Sequence, residues 1–261
     1  MNIIVSMKQV VDLEQIRIKP QTREPVLESL PVMFGDFDKC ALEEAVQLKE
    51  EHGGKVTVVA AGSPKLKDTI KEALAIGADE AVLLTDETYQ GADTLGSARL
   101  LAQAIRIIGD YDLILMGDGS ADEYTGEIPP RVAEILGVPQ AAFAREIELL
   151  DGVIRVTRDL EEALEIVDMD FFFNDTATTE IYTPRLPALT DILKAGRKPM
   201  HTWSPDDVEI DTAQVGAEAS LVEVLSNLAP VQDRKEIIFE DVQEGLDEVL
   251  KALESEGVLA Q

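Results

Sequence analysis

Asp112-Leu113-Ile114-Leu115-Met116-Gly117-Asp118-Gly119-Ser120 runs on through Ala121-Asp122-Glu123-Tyr124-Thr125-Gly126-Glu127-Ile128-Pro129-Pro130-Arg131, passing from an apolar strand through a glycine-containing loop into an amphipathic helix. In an open α/β sheet that junction is where nucleotides sit. Glycines let the backbone approach a diphosphate, and the first helical N–H groups supply donors and partial positive charge. The same pattern also serves as an ordinary connection with no ligand. The local residues leave both readings open.

Upstream, the pattern repeats. Residues 2–7, 55–61 and 80–84 read as buried strands, separated by helical periodicity that ends at Gly53-Gly54 and Gly77. Asp36 or Asp38 is expected to cap the first helix. Ser63 is expected to cap the second, with Pro64 in its first turn, and the third is read from residue 92 to 108. Residues 15–18 and 25–27 suggest a short hairpin. After Pro139, the segments 145–149 and 153–158 flank Leu150-Asp151-Gly152, a hairpin turn signal, and 164–167 is a further strand candidate. The fold class expected is α/β: a Rossmann-like, mostly parallel sheet with helices on both faces, an antiparallel extension and a C-terminal arm. Residues 1–200 form the nucleotide-binding domain in this reading. Residues 201–261 form an arm ending in an amphipathic helix over 240–256 that packs on a partner subunit.

One stretch disagrees with its surroundings. Phe171-Phe172-Phe173-Asn174-Asp175-Thr176-Ala177-Thr178-Thr179-Glu180-Ile181-Tyr182-Thr183 holds three of the seven phenylalanines in a row and then turns threonine-rich. It resembles translated sequencing-adapter strings, so residues 171–183 are read as non-native. The competing reading is a genuine strand, for which 176–182 has adequate β propensity.

Composition narrows the function. A net charge of −28 argues against nucleic acid as a partner. No apolar run approaches the ~20 residues of a membrane span. The amino terminus reads as the first strand rather than a leader, and the single cysteine, Cys40, fits a reducing compartment, so a cytoplasmic protein is expected. Cys40 reads as core filler. His52 and His201 are far apart, and no metal-ligand spacing, Walker run or Gly-x-Ser-x-Gly elbow is present. Trp203 reads as an apolar anchor for the arm. The basic island from 185 to 198 faces either an acidic partner or the acidic tail.

Several motifs, in order, are similar to those of one family. They are Val5-Ser6-Met7-Lys8-Gln9-Val10-Val11-Asp12, Asp38-Lys39-Cys40-Ala41-Leu42-Glu43-Glu44-Ala45, Ala73-Leu74-Ala75-Ile76-Gly77-Ala78-Asp79-Glu80-Ala81 and Pro184-Arg185-Leu186-Pro187-Ala188-Leu189. The chain resembles the beta subunit of electron-transfer flavoprotein over nearly its full length. Gly91-Ala92-Asp93-Thr94 looks like the branch related to nitrogen-fixation and flavin-bifurcating proteins. The resemblance implies a non-catalytic electron carrier paired with an alpha subunit. The pair shares FAD, and AMP or a second FAD is held by the beta subunit itself. Dehydrogenases and a quinone-reductase or ferredoxin-type protein are the implied redox partners.

The nucleotide site implied by the resemblance comprises Ser6, Met7, Gly35, Ala61, Gly62, Gly117, Gly119, Asp122, Glu123, Tyr124, Thr125, Gly126, Glu127 and Ile128. In it, Asp122 would set the loop and Thr125 would contact phosphate. The chain departs from the family in having Gly35 for an asparagine, Glu123 and Tyr124 for a small-acidic pair, and Glu127 for glutamine. Asp118, Asp122, Glu123 and Glu127 thus put four carboxylates in a loop meant for phosphate. One like-charge contact at about 4 Å costs several kcal/mol before screening. The rival from another class is a stand-alone adenine-nucleotide sensor of the universal-stress type. The arm and the antiparallel extension speak against it.

Overall fold

A computed structural model describes residues 1–27, 30–170, 175–179, 185–222, 225–229 and 242–255. The chain opens with β1 (Asn2–Ser6), β2 (Gln9–Val11), β3 (Arg17–Ile18), β4 (Pro25–Val26) and β5 (Val32–Phe34). Helices and strands then alternate: α1 (Asp36–His52), β6 (Lys55–Ala61), α2 (Leu66–Ile76), β7 (Glu80–Leu84), α3 (Thr94–Ile108), β8 (Leu113–Gly117) and α4 (Ile128–Leu136). There follow β9 (Gln140–Leu150), β10 (Val153–Leu160), β11 (Ala163–Asp170), β12 (Asp175–Thr179), α5 (Leu189–Ala195), β13 (Met200–Trp203), α6 (Pro205–Val208) and α7 (Val242–Ser255).

Among the described residues one nine-stranded sheet runs in the order β11-β10-β9-β12-β8-β1-β6-β7-β13. From β9 to β13 every neighbouring pair is parallel, whereas β9, β10 and β11 pair antiparallel. The fold is therefore the Rossmann-like α/β sheet with an antiparallel extension that the sequence suggests. The short β2–β5 and β3–β4 pairs stand apart from it.

Strand alternation divides the core into two layers. Ile3, Val5, Val56, Val58, Leu113 and Leu115 face α1 and α2, meeting Leu42, Ala45, Ile70 and Leu74. Ile4, Val59, Ile114 and Met116 face the other way, against Ala98, Leu101 and Ile105 of α3 and Val132 of α4. Full burial of each such large aliphatic side chain contributes about 1.5–3 kcal/mol. Because α1 joins β1 to β6 on one face while α3 returns from β7 to β8 on the other, strand order reverses between β1 and β8. That is the topological switch point, whose crevice lies beyond the carboxyl ends of the strands.

Three helix starts differ from the sequence reading. Gly35, with no capping side chain, occupies the N-cap of α1 in place of either aspartate. Asp38 turns inward, where two backbone N–H groups meet its carboxylate. The N-cap of α2 is Lys65, because the Ser63 hydroxyl bonds the Gln9 side chain at 3.0 Å. Asp93 caps α3 by accepting from the Gly96 N–H at 2.8 Å, so the helix begins two residues later than the periodicity suggests. Residues 175–179 of the adapter-like stretch supply the backbone of β12 between β8 and β9, and the rest of 171–183 lies outside the described residues.

The short strand β13 went unread, although it extends the sheet beside β7. Trp203 at its end, and Val208 and Val215 just beyond, pack on the α3 layer. The basic island is used internally. Arg185 pairs with Glu43 and Glu50, Lys194 with Asp191, and Lys198 donates to the carbonyls of Leu74 and Ala78 near the end of α2. No helix among the described residues is long and apolar enough to cross a membrane.

Candidate functional site

At the switch point a cleft of about 750 Å³ opens over the carboxyl ends of β1, β6 and β8. This is within the size range of small-molecule sites. Its floor is built on Asp38. The first turn of α1 carries this residue on the same stripe as the buried Ala41 and Leu42, so its side chain enters the sheet rather than solvent. There the carboxylate accepts the N–H of Lys8 at 2.7 Å, just past β1, and that of Gly117 at 3.2 Å, at the end of β8. It therefore ties together the two strands between which the cleft opens. Burial pushes its carboxyl up to about 7, against the two N–H donors that favour the charge.

Gly117 is required by this contact. A Cβ there would stand 2.4 Å from Asp38 Oδ1 and 2.9 Å from its backbone nitrogen. Gly126, at φ +64°, turns the far end of the loop into α4 through a region that side chains rarely adopt. The helix end is poorer in donors than the sequence pattern suggests. Pro129 and Pro130 carry no N–H, and the Arg131 N–H is taken by the Glu127 carbonyl at 3.2 Å, which leaves Ile128 to represent the first turn.

Three of the four loop carboxylates are compensated by neighbouring donors. The Lys8 ammonium reaches from β1 to Asp122 at 2.8 Å, Glu123 at 3.1 Å and the Ser120 hydroxyl at 3.3 Å. Burial works against the charge on Asp122, yet Lys8 and Ser120 hold its carboxyl below the usual range. Burial also opposes the charge on Lys8, and the two acids outweigh it and push the ammonium above its usual value. Glu127 accepts from the Thr94 hydroxyl at 2.5 Å and from Arg131 at 3.0 Å, which lower its carboxyl in that order. Asp118 has no cation among these contacts: burial raises it, and the Tyr124 hydroxyl at 3.5 Å opposes the rise.

Of the residues the resemblance implies, Ser6, Met7, Ala61, Gly117, Gly119, Glu123, Thr125, Gly126, Glu127 and Ile128 line the cleft. Four stand elsewhere. Gly35 precedes α1, and Gly62 bonds its N–H to the Leu84 carbonyl. Asp122 is paired with Lys8, and Tyr124 packs on Phe37 with ring centroids 5.7 Å apart. Sequence reasoning missed Lys8 and Asp38 as lining residues. It also missed Asp93, Thr94 and Ser97 at the start of α3, and Ser220 and Val222 from the tail. The tail reaches the cleft because the Leu221 N–H donates to Asp93 Oδ2 at 2.9 Å and the Ala217 N–H to the Gln90 carbonyl at 3.0 Å.

Met116, Ala61, Leu101 and Ile128 add apolar side chains to the lining of the cleft. None of its lining residues is a histidine or a cysteine. Its chemistry is that of holding a ligand with apolar and polar parts.

Comparison with known proteins agrees with this architecture. The family profile described as Electron transfer flavoprotein domain matches residues 28–208. The chain is 36% identical over 261 residues to the electron transfer flavoprotein subunit beta of Thermoanaerobacterium thermosaccharolyticum, covering 99% of this chain and 100% of that protein. It is 35% identical over 241 residues to protein FixA of Azorhizobium caulinodans, with 88% of this chain and 85% of that protein covered. It is 31% identical over 231 residues to the caffeyl-CoA reductase-Etf complex subunit CarD of Acetobacterium woodii, with 88% of each covered.

Proposed function

The chain belongs to the electron transfer flavoprotein family, as a beta subunit and hence an electron carrier rather than an enzyme, and on that premise we propose that its switch-point cleft holds an adenine nucleotide. The nucleotide is AMP or the adenylate end of a second FAD. An alpha-type subunit completes a shared FAD site against this chain. The pair passes electrons between a dehydrogenase and a quinone-reductase or ferredoxin-type acceptor. When bound, the flavin supplies the redox chemistry.

The observation that carries the reading is the loop after β8. It offers a phosphate a glycine-containing backbone close to the end of β8, and three of its four acids are already engaged, Asp122 and Glu123 by Lys8 and Glu127 by Thr94 and Arg131. The residues present therefore fit an adenylate despite four carboxylates in the loop. Asp38 positions the strand ends, Gly126 turns the loop into α4, and the apolar side chains of the lining exclude water from part of the ligand. Partner docking is assigned to the tail. Leu221 and Leu225, and Leu246, Val249 and Leu250 of α7, are exposed side chains on an otherwise acidic segment.

Co-expression with an alpha-type subunit of the same family tests this reading. A yellow complex of two chains with flavin absorption bands is expected. A colourless chain that purifies alone from that co-expression overturns it.

A further inference from the structure

We propose that Lys8 is a positioning residue of the cleft: its ammonium ties the 118–127 loop to β1 and cancels the charge of Asp122 and Glu123, so that the loop can receive a phosphate without Lys8 touching it. The proposal rests on the nucleotide reading above. The residue stands where two restraints meet. Its backbone N–H is fixed on Asp38 at 2.7 Å, which holds the main chain at the end of β1. Its side chain crosses to the loop and spans three acceptors, Ser120, Asp122 and Glu123, all within 3.3 Å. These acceptors sit between Gly119 and Gly126, a stretch that Tyr124 also anchors by packing on Phe37 of α1. The Tyr124 N–H donates to the Ser120 carbonyl at 2.9 Å, and the Glu123 N–H donates to the Asp122 carboxylate at 2.9 Å, both within the loop itself.

The geometry separates two roles that a lysine in a nucleotide cleft can take. An ammonium that binds phosphate directly must have donors to spare, and a lysine has three. All three directions of Lys8 are occupied by loop oxygens, two of them anionic. Its contribution to a ligand is therefore indirect. Without it, Asp122 and Glu123 meet the incoming phosphate with no counter-charge from Lys8, and the loop loses its side-chain tie to the end of β1.

The test uses the full chain with AMP and adenosine as probes, titrated into wild type, Lys8→Met and the triple variant K8M/D122N/E123Q. Amide hydrogen exchange over residues 118–127 is followed in each protein without ligand. Lys8→Met is expected to weaken AMP by about tenfold or more while adenosine stays within about twofold, because only the phosphate meets the exposed acids. Neutralising those acids in the triple variant is expected to recover AMP affinity to within about threefold of wild type. Exchange in the loop is expected to quicken in Lys8→Met. Equal loss of AMP and adenosine overturns the charge-cancelling role, and a triple variant as weak as Lys8→Met shows direct phosphate contact instead. Unchanged loop exchange in Lys8→Met overturns the tether, whatever the ligands do. Wild type with no affinity for either probe overturns the nucleotide reading and with it the charge-cancelling role, while the exchange data still decide the tether.

Discussion

Replacing Gly117 with alanine strikes the floor of the cleft with a single methyl group. The added carbon would lie 2.4 Å from Asp38 Oδ1, 2.9 Å from the Asp38 nitrogen and 3.0 Å from Phe37 Cβ, so either β8 or the first turn of α1 must give way. Two costs add. Overpacking a tight contact costs about 1–3 kcal/mol. Moving the strand end also breaks the 3.2 Å bond from the Gly117 N–H to a carboxylate, and a bond to a charged group contributes about 1.5–3 kcal/mol. Together they remove about 4 kcal/mol, or roughly 10 °C in melting temperature for a chain of this size. Gly62 is the control. A Cβ there meets its nearest neighbour, Leu66 Cδ2, at an ordinary 3.8 Å, so Gly62→Ala is expected to melt with wild type. The charge component has its own signature. Asp38 titrates at about 7, so the penalty of Gly117→Ala is larger at pH 8.5, where the carboxylate is ionised, than at pH 5.5, where it is largely neutral. Thermal unfolding of the three proteins at both pH values reads all of this. Gly117→Ala melting with Gly62→Ala, or paying the same penalty at both pH values, refutes the reasoning.

Asp38→Asn is expected to change how stability varies with pH. The Asp38 carboxyl is raised in the folded chain, so between its unfolded value near 4 and about 7 the folded state binds a proton that the unfolded state does not. Stability therefore falls as pH rises through that window, by up to about 1.4 kcal/mol per pH unit for one group. Asp38→Asn removes this share of the slope, while Glu44, raised to about 7 chiefly by burial, keeps its own; urea titrations from pH 5 to 8 with parallel slopes would contradict it. Arg185→Met leaves Glu43, 5% exposed, without its bidentate partner and is expected to cost about 3 kcal/mol. R185M/E43Q should recover part of that loss, and a double variant no more stable than Arg185→Met alone in urea unfolding refutes the assignment. Clean resequencing of the locus is expected to return other residues over 171–183; the same residues in those reads end the non-native reading.

The fold was legible because parallel strands buried on both faces leave long apolar runs, such as Leu113-Ile114-Leu115-Met116 and Val56-Thr57-Val58-Val59-Ala60, between helices with clear stops. Met200-His201-Thr202-Trp203 was not legible as a strand. It is short, its residues are exposed or half-buried, and only pairing with β7 makes it one. The loop from Gly117 to Gly126 could be found from its glycines, since their local conformation is written locally. Asp38 and Lys8 could not be found that way. Their partners lie from 30 to 115 residues away along the chain, and an aspartate beginning a helix reads as a cap until the sheet that buries it is known. The paired acids of the loop show the same limit. Sequence counts their charges, but only the fold brings Lys8 across to meet them.

The central claim is that the cleft between β1 and β8 holds an adenylate. Denaturing the purified two-subunit complex and chromatographing the released nucleotides against AMP and FAD standards tests it directly. One adenine nucleotide per beta chain is expected beyond the FAD shared with the partner, lost in parallel when Gly117 is replaced. A complex carrying only the shared FAD, with nothing further released from the wild-type chain, contradicts it.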